Sequence, residues 1–321
     1  MLDKNTISRN FTVAKVLAIT MVLTGHFFGG LLWVPTTMSL FVFGFSSGFF
    51  TSCKYKNDYS FVSFWKNKIY RLVGPLVVIN LFLLVLFIIK GKSGILTWHS
   101  IISVLGMNGL LSWFGIHNQS PFGSGLWFFT LLIVFYFVYP FVQRIVNSPG
   151  SLFFMCMAIV ILSFIHFLAP FEYSLWTTAI SFIFGVFICS KGCRLKRRLL
   201  VISFLCIVVA ILIMNFYLYD TRLNYFLILC CSMSIVLLLV SVKLPCICYE
   251  VFLLLSGAVI EIYFIHTYMF VKTGIFPAFV GYCLSLILIL LTSLLLAQLA
   301  KKITLLLGNT LFAKPFSRTS N

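Results

Sequence analysis

Apolar residues run through this chain in long blocks with few polar interruptions, and short joints rich in Lys and Arg separate them. The blocks fall at 11–31, 37–53, 72–89, 125–143, 151–169, 174–190, 199–218, 224–242, 251–271 and 279–300. A helix needs about 20 such residues to cross the hydrocarbon core of a bilayer, so each block predicts a transmembrane helix. The alternating apolar–polar pattern of an outer-membrane barrel is missing. The expected fold is therefore all-α: a polytopic transmembrane helix bundle of about ten spans, making one integral membrane domain over 1–321.

The stretch 93–124 fits the pattern poorly. It is apolar in part but is broken by Trp98, His99, Gly106, Asn108, Trp113 and His117. The distribution of charge decides its status, because loops on the cytoplasmic side carry an excess of Lys and Arg. If 93–124 does not cross, every Lys and Arg of the 23 lies on the inner side except Lys90, Lys92, Arg222 and Lys272. If it does cross, every later loop flips, and the cluster Arg194, Lys196, Arg197 and Arg198 faces outward. The first arrangement is expected. It places both termini in the cytoplasm and makes 93–124 an outer interfacial or re-entrant element, where Trp is favoured and irregular backbone can line a cavity.

Composition supports the membrane reading. Hydrophobic residues make up 61% of 321 and charged residues 9%, against about 25% charged in soluble domains. A net charge of +17 would suit nucleic acid, but its division into short clusters between spans is topogenic, so membrane lipids and not nucleic acid are the expected partners. No Ala-x-Ala-like cleavage site follows the first block, which predicts a retained signal anchor. The ten cysteines form no Cys-x-x-Cys pair. They are expected to be small apolar thiols in packed helices, with no metal site.

Ionisable residues inside the spans are the candidates for chemistry, because charge is costly there. Lys15 and His26 share the first span. Eleven residues place them about 20° apart around a helix and ~16 Å apart along it, hence on one face. Lys15 is expected near the cytoplasmic surface and His26 in the outer half. The block VFLLLSGAVIEIYFIHTYMF also runs outward and carries Glu261 near its middle and His266 in its outer third. A neutral imidazole is a general base for a hydroxyl near neutral pH. Each histidine can instead be a packing residue, and Glu261 either enters the chemistry or forms a structural ion pair. His99, His117 and His166 are expected at the surface. In the inner segment FWKNKIYRLVGP, Lys68 and Arg71 are helix-surface neighbours suited to a phosphate-bearing ligand or to anionic lipid. Topogenic charge is the plainer alternative. Transport of an envelope glycan precursor, as a transporter or flippase, would use the same intramembrane Lys, His and Glu.

Several segments together resemble the membrane acyltransferase-3 family, polytopic enzymes that modify carbohydrates at the cell envelope. AKVLAITMVLTGH is similar to the family's opening span, in which a basic residue precedes a histidine by eleven positions. SLFVFGFSSGFF, with Ser47, Gly48 and Phe49, resembles its second span. KNKIYRLVGP is similar to its basic segment, and SGLWFFTLLIVFYFVYP, with Trp127, Phe128, Tyr139 and Pro140, to its Trp-aromatic span. EIYFIHTYMF resembles its late Tyr-x-x-His span. Two features depart from the family pattern. Lys15 stands for the usual arginine, keeping the charge but not the bidentate fork, and Asn10 to Ala14 contain no acid.

The resemblance implies an O-acyltransferase in the bacterial inner membrane, in the membrane-only form. Acetyl-CoA would be the cytoplasmic acyl donor, and a hydroxyl of an exported polysaccharide or lipid-linked sugar the acceptor. The candidate site is His26, Glu261 and His266 as catalytic residues, Lys15, Lys68 and Arg71 for the donor, and Trp127 for substrate.

Overall fold

A backbone in hydrocarbon has no water to bond, so it satisfies its own N–H and C=O groups by coiling into helix. The computed structural model describes residues 2–56, 60–123, 127–168, 173–192, 196–217, 222–245, 248–272 and 277–311, with no strand among them. Arg194, Cys193, Cys246, Lys314 and Arg318 lie outside the described residues. The helices are α1 (Lys4–Phe28), α2 (Trp33–Tyr55), α3 (Phe61–Ile89), α4 (Trp98–Val104), α5 (Asn108–Trp113), α6 (Trp127–Asn147), α7 (Ser151–Leu168), α8 (Tyr173–Lys191), α9 (Arg197–Tyr217), α10 (Arg222–Ser241), α11 (Tyr249–Ser256), α12 (Val259–Ile265) and α13 (Ala278–Leu311).

Among the described residues seven helices are long and apolar enough to cross a membrane. The pair α11 and α12, bent by 59°, makes eight if it counts as one span. Leu175–Lys191 and Arg198–Met214 are shorter apolar helices. The chain is a helical membrane bundle.

Three elements differ from the pattern of apolar blocks. The basic segment before Pro75 is helix and not loop: α3 starts at Phe61, where Ser60 Oγ accepts from Ser63 N at 3.5 Å, and Pro75 sits inside it. A proline there removes one backbone donor and leaves the helix otherwise able to continue. The block 251–271 is not one helix. It breaks at Gly257 and Ala258 and ends in a 3-10 turn, His266–Tyr268. The stretch 93–124 supplies only the short helices α4 and α5.

That stretch is pinned through side chains. Thr130 Oγ1 on α6 accepts from Gly109 N at 2.9 Å and donates to Gly106 O at 2.9 Å. Asn80 Nδ2 on α3 donates to Val104 O at 2.9 Å. Asn108 and Asn118 then tie the segment to itself, through Asn118 Nδ2 to Asn108 Oδ1 at 2.9 Å and Asn108 Nδ2 to Gly123 O at 2.6 Å. Irregular backbone next to hydrocarbon is tolerated when it is satisfied in this way.

Small residues bring α2 and α8 together. A Cβ on Gly48 would collide with the Phe182 carbonyl, one on Gly185 with the Phe45 carbonyl, and one on Gly44 with Ser181 Oγ. Helices in lipid associate by this kind of close backbone packing. At one end of the contact Gln143 joins three helices: its Oε1 accepts from Ser52 at 2.8 Å and Tyr139 at 3.2 Å, and its Nε2 donates to Ser190 at 3.1 Å. Cys53 and Cys189 form a disulfide beside it. The expectation of unpaired thiols therefore fails for these two, because the glycine contacts hold α2 against α8 closely enough for the sulfurs to meet. Asn10, near the point where the sequence lacks an acid, is 2% exposed and fully used. It donates to Leu239 O and Val242 O at 2.7 Å each and accepts from Leu244 N at 3.1 Å, fixing α1 to the end of α10.

Candidate functional site

Helices α1, α2, α3, α6 and α12 enclose a cavity of about 450 Å³. Its walls differ from one end to the other. Lys15 on α1, Lys54 on α2 and Lys68 and Arg71 on α3 line one part, and Ile19, Phe43, Phe128, Leu132, Val259 and Phe264 line another. Lys68 is 7% exposed. Its ammonium donates to Thr51 Oγ1 at 2.9 Å and stands 3.9 Å from the Tyr136 ring centroid. A buried lysine needs such partners, and here they aim the charge into the cavity. Lys15 Nζ lies 5.4 Å from the centre of the Phe50 ring. Ser47 Oγ is buried at the cavity wall beside Tyr136.

The lining combines cationic and apolar side chains. Four cations with no carboxylate among the described lining residues are a set that suits phosphate. The aromatic and aliphatic wall suits an uncharged arm.

His26 and His266 are not in that lining. They stand together beyond it, ring centroids 5.1 Å apart, although they come from α1 and from the turn after α12. His26 is exposed and His266 fully buried. The His266 Nδ1 lies 2.6 Å from the Tyr263 carbonyl oxygen. A carbonyl only accepts, so Nδ1 carries the proton and Nε2 is the basic nitrogen. Nε2 is buried and has no hydrogen-bond partner among the described residues. Gly25 positions the other ring: a Cβ there would collide with Thr36 Oγ1, so glycine lets α2 close on α1 beside His26.

Tyr263 belongs to both regions. Its ring lines the cavity and lies 5.9 Å from the His266 ring. Phe128 packs on it at 5.6 Å, and Phe43 on Phe128 at 5.9 Å. These three rings pack in series, and Tyr263 links the cavity lining to the histidine pair.

The other candidates fall as follows. Glu261 is 3% exposed, and its Oε2 has no hydrogen-bond partner. Lys301 on α13 attracts it electrostatically. Trp127, half-buried at the start of α6, packs against Phe128 at 6.2 Å and does not line the cavity. Of the three histidines expected at the surface, only His117 is exposed. His99 lies against Trp98 at 3.8 Å and His166 stacks on Tyr225 at 4.2 Å, and both are buried. No group of three or more metal-ligating side chains occurs among the described residues.

Thr51, Lys54, Tyr136, Tyr263 and Phe128 escaped the sequence reading as site residues. Thr51 and Tyr136 become visible only through the buried Lys68 that they hold. Tyr263 carried a signal, at three residues before His266, the spacing that lets a carbonyl reach an imidazole one turn on.

The chain matches the family model described as an acyltransferase domain over residues 9–298. No curated protein and no solved structure matches it.

Proposed function

The chain belongs to the acyltransferase-3 family, and from that premise we propose that this membrane acyltransferase moves an acetyl group from acetyl-CoA to a hydroxyl of an envelope or exported polysaccharide. The observation that carries the proposal is the cation-lined, partly apolar cavity joined through Tyr263 to a pair of histidines. In this reading the protein lies in the bacterial cytoplasmic membrane, with both termini and the cation-lined end of the cavity at the cytoplasm.

Lys68, Arg71 and Lys15 hold the donor phosphates. Lys15 supplies a point charge where a guanidinium would supply a fork. The apolar wall takes the pantetheine arm, and the ~16 Å between Lys15 and His26 is the length that such an arm must cover. His26, the exposed imidazole, removes the proton from the acceptor hydroxyl. The hydroxyl oxygen then attacks the thioester carbonyl, the C–O bond forms and the C–S bond breaks. The proton taken from the hydroxyl neutralises the departing thiolate. His266, with its Nδ1 committed to Tyr263, presents a basic Nε2 beside His26 and orients it or shares its proton. Glu261, on α12 just before that turn, completes the proposed catalytic set as a further proton acceptor. Trp127, next to Phe128 of the cavity lining, is the proposed substrate contact.

The test is transfer of radiolabelled acetyl from acetyl-CoA to a candidate glycan by the purified protein, with His26→Ala as control. No transfer, or undiminished transfer by the variant, rejects the mechanism. A reporter fused after Phe122 that reads cytoplasmic rejects the orientation.

A further inference from the structure

The surface beside the histidine pair carries positive charge, with no carboxylate against it among the described residues. Lys272 is exposed and folded back over two rings, its Nζ 5.2 Å from the centroid of Phe27 and 5.5 Å from that of Phe270. Phe27 follows His26 in α1, Phe270 lies 5.8 Å from His266, and Lys272 acts electrostatically on His26. The backbone beneath it is fixed: Val271 N donates to Ser285 Oγ at 2.8 Å, and a Cβ on Gly281 would come within 2.7 Å of the Val271 carbonyl. A second exposed lysine, Lys90, reaches the same turn, with Nζ 3.4 Å from Tyr268 O. Lys92 is exposed two residues on. Of the described acids, Asp3 stands before α1, Glu250 opens α11, and Glu261 is buried on α12. None of these three is beside Lys272.

These lysines run against the distribution of charge in the rest of the chain. Basic residues on the outer side oppose the topology that the inner clusters set, yet Lys90, Lys92 and Lys272 are three of the four exceptions. A lysine that merely anchors a helix extends toward the lipid surface. Lys272 instead lies over rings that adjoin His26 and His266. Those rings continue as an apolar face: Phe28 is exposed and packs on Tyr282 at 5.1 Å, and Tyr282 OH bonds Thr24 at 2.7 Å. Rings beside unpaired ammonium groups fit a sugar that carries an acidic group.

We propose that the acceptor is an acidic saccharide, one that bears a carboxylate or phosphate near the hydroxyl to be acylated, held by Lys272 and Lys90 beside His26. The proposal rests on the acyltransferase reading above and names the substrate class of that site. The ammonium groups fix the anionic group, and the aromatic face carries the ring. The hydroxyl is thereby brought to the imidazole pair.

The probe is trigalacturonic acid, compared with the same trisaccharide after reduction of its carboxyls. Both are titrated onto the full chain in nanodiscs of phosphatidylcholine. The acidic probe is expected to bind more tightly, with Lys272→Gln and Lys90→Gln each weakening it roughly fivefold, the scale of an exposed charge pair. Lys272→Arg should restore binding. Near 1 M salt, where screening acts over about 3 Å, the preference should vanish. Equal binding of the two saccharides, no binding of either, or an unchanged Lys272→Gln overturns the proposal. So does a preference that appears only when anionic phosphatidylglycerol is added to the nanodiscs, because the lysines would then be reading lipid. Acetyl-CoA binding, measured on the same samples with Lys68→Ala as control, reports on the acyltransferase reading separately. If donor binding holds and acid preference fails, only the proposal made here falls.

Discussion

His26 and His266 stand with their rings 5.1 Å apart, and only one of the two is tied down. His266 gives its Nδ1 proton to Tyr263 and is sealed from solvent, while His26 is open. Such a division suits an outer imidazole that meets the hydroxyl and an inner one that fixes its setting. Replacing His26 with Ala should lower acetyl transfer by about 10²- to 10⁴-fold, the usual contribution of a general base. Acetyl-CoA affinity, measured by titration, should stay within a factor of about two.

His266→Asn tests the tie to Tyr263. The amide can still donate to the carbonyl but offers no basic nitrogen. Transfer should fall while the thermal midpoint holds, and His266→Leu, which strands the Tyr263 carbonyl, should lower both. A His266→Asn protein that transfers as well as the parent would remove His266 from the mechanism.

Lys68 is predicted to act on the donor and not on the acceptor. Lys68→Met keeps the stem among Phe64 and Tyr136 and deletes the charge. The KM for acetyl-CoA should rise about tenfold, consistent with a charge-assisted contact of roughly 1.5 kcal/mol, with little change in KM for the glycan. Initial rates over a grid of both substrates check this.

The segment that holds α4 and α5 should loosen when Thr130 is changed. Thr130→Val leaves the Gly109 N–H and the Gly106 carbonyl without their partner, at a cost of about 1–3 kcal/mol. Hydrogen exchange over 98–113 should speed up, with α2 and α8 unaffected.

Gly48→Leu should be far worse for assembly than its surroundings suggest, because the added side chain meets the Phe182 carbonyl. Overpacking a close contact costs typically 1–3 kcal/mol. The expected result is loss of monodisperse protein in detergent, with Gly150→Ala as the tolerated control, since a Cβ there meets only the Phe154 ring at 3.4 Å.

The helices were legible because hydrocarbon leaves the backbone a single choice, and apolar blocks mark where it applies. The cation cluster was legible in part: Lys68 and Arg71 sit three apart in sequence, the family resemblance put Lys15 with them, and the structure adds Lys54 to the same cavity. What the sequence hid were relationships between segments. Lys15 and His26 share a helix, yet the first lines the cavity and the second stands against His266, from far along the chain. The break at Gly257 was equally hidden, since Ser256 and Gly257 sit in an apolar run that reads as continuous. Residue type also misplaced His99 and His166, which aromatic neighbours bury.

Tyr263 has a mechanical meaning as well as a chemical one. Its ring lines the cavity while its carbonyl holds the His266 imidazole. A ligand that presses on the ring pushes on the same backbone that sets the imidazole, so filling the cavity is felt at the histidines without touching them.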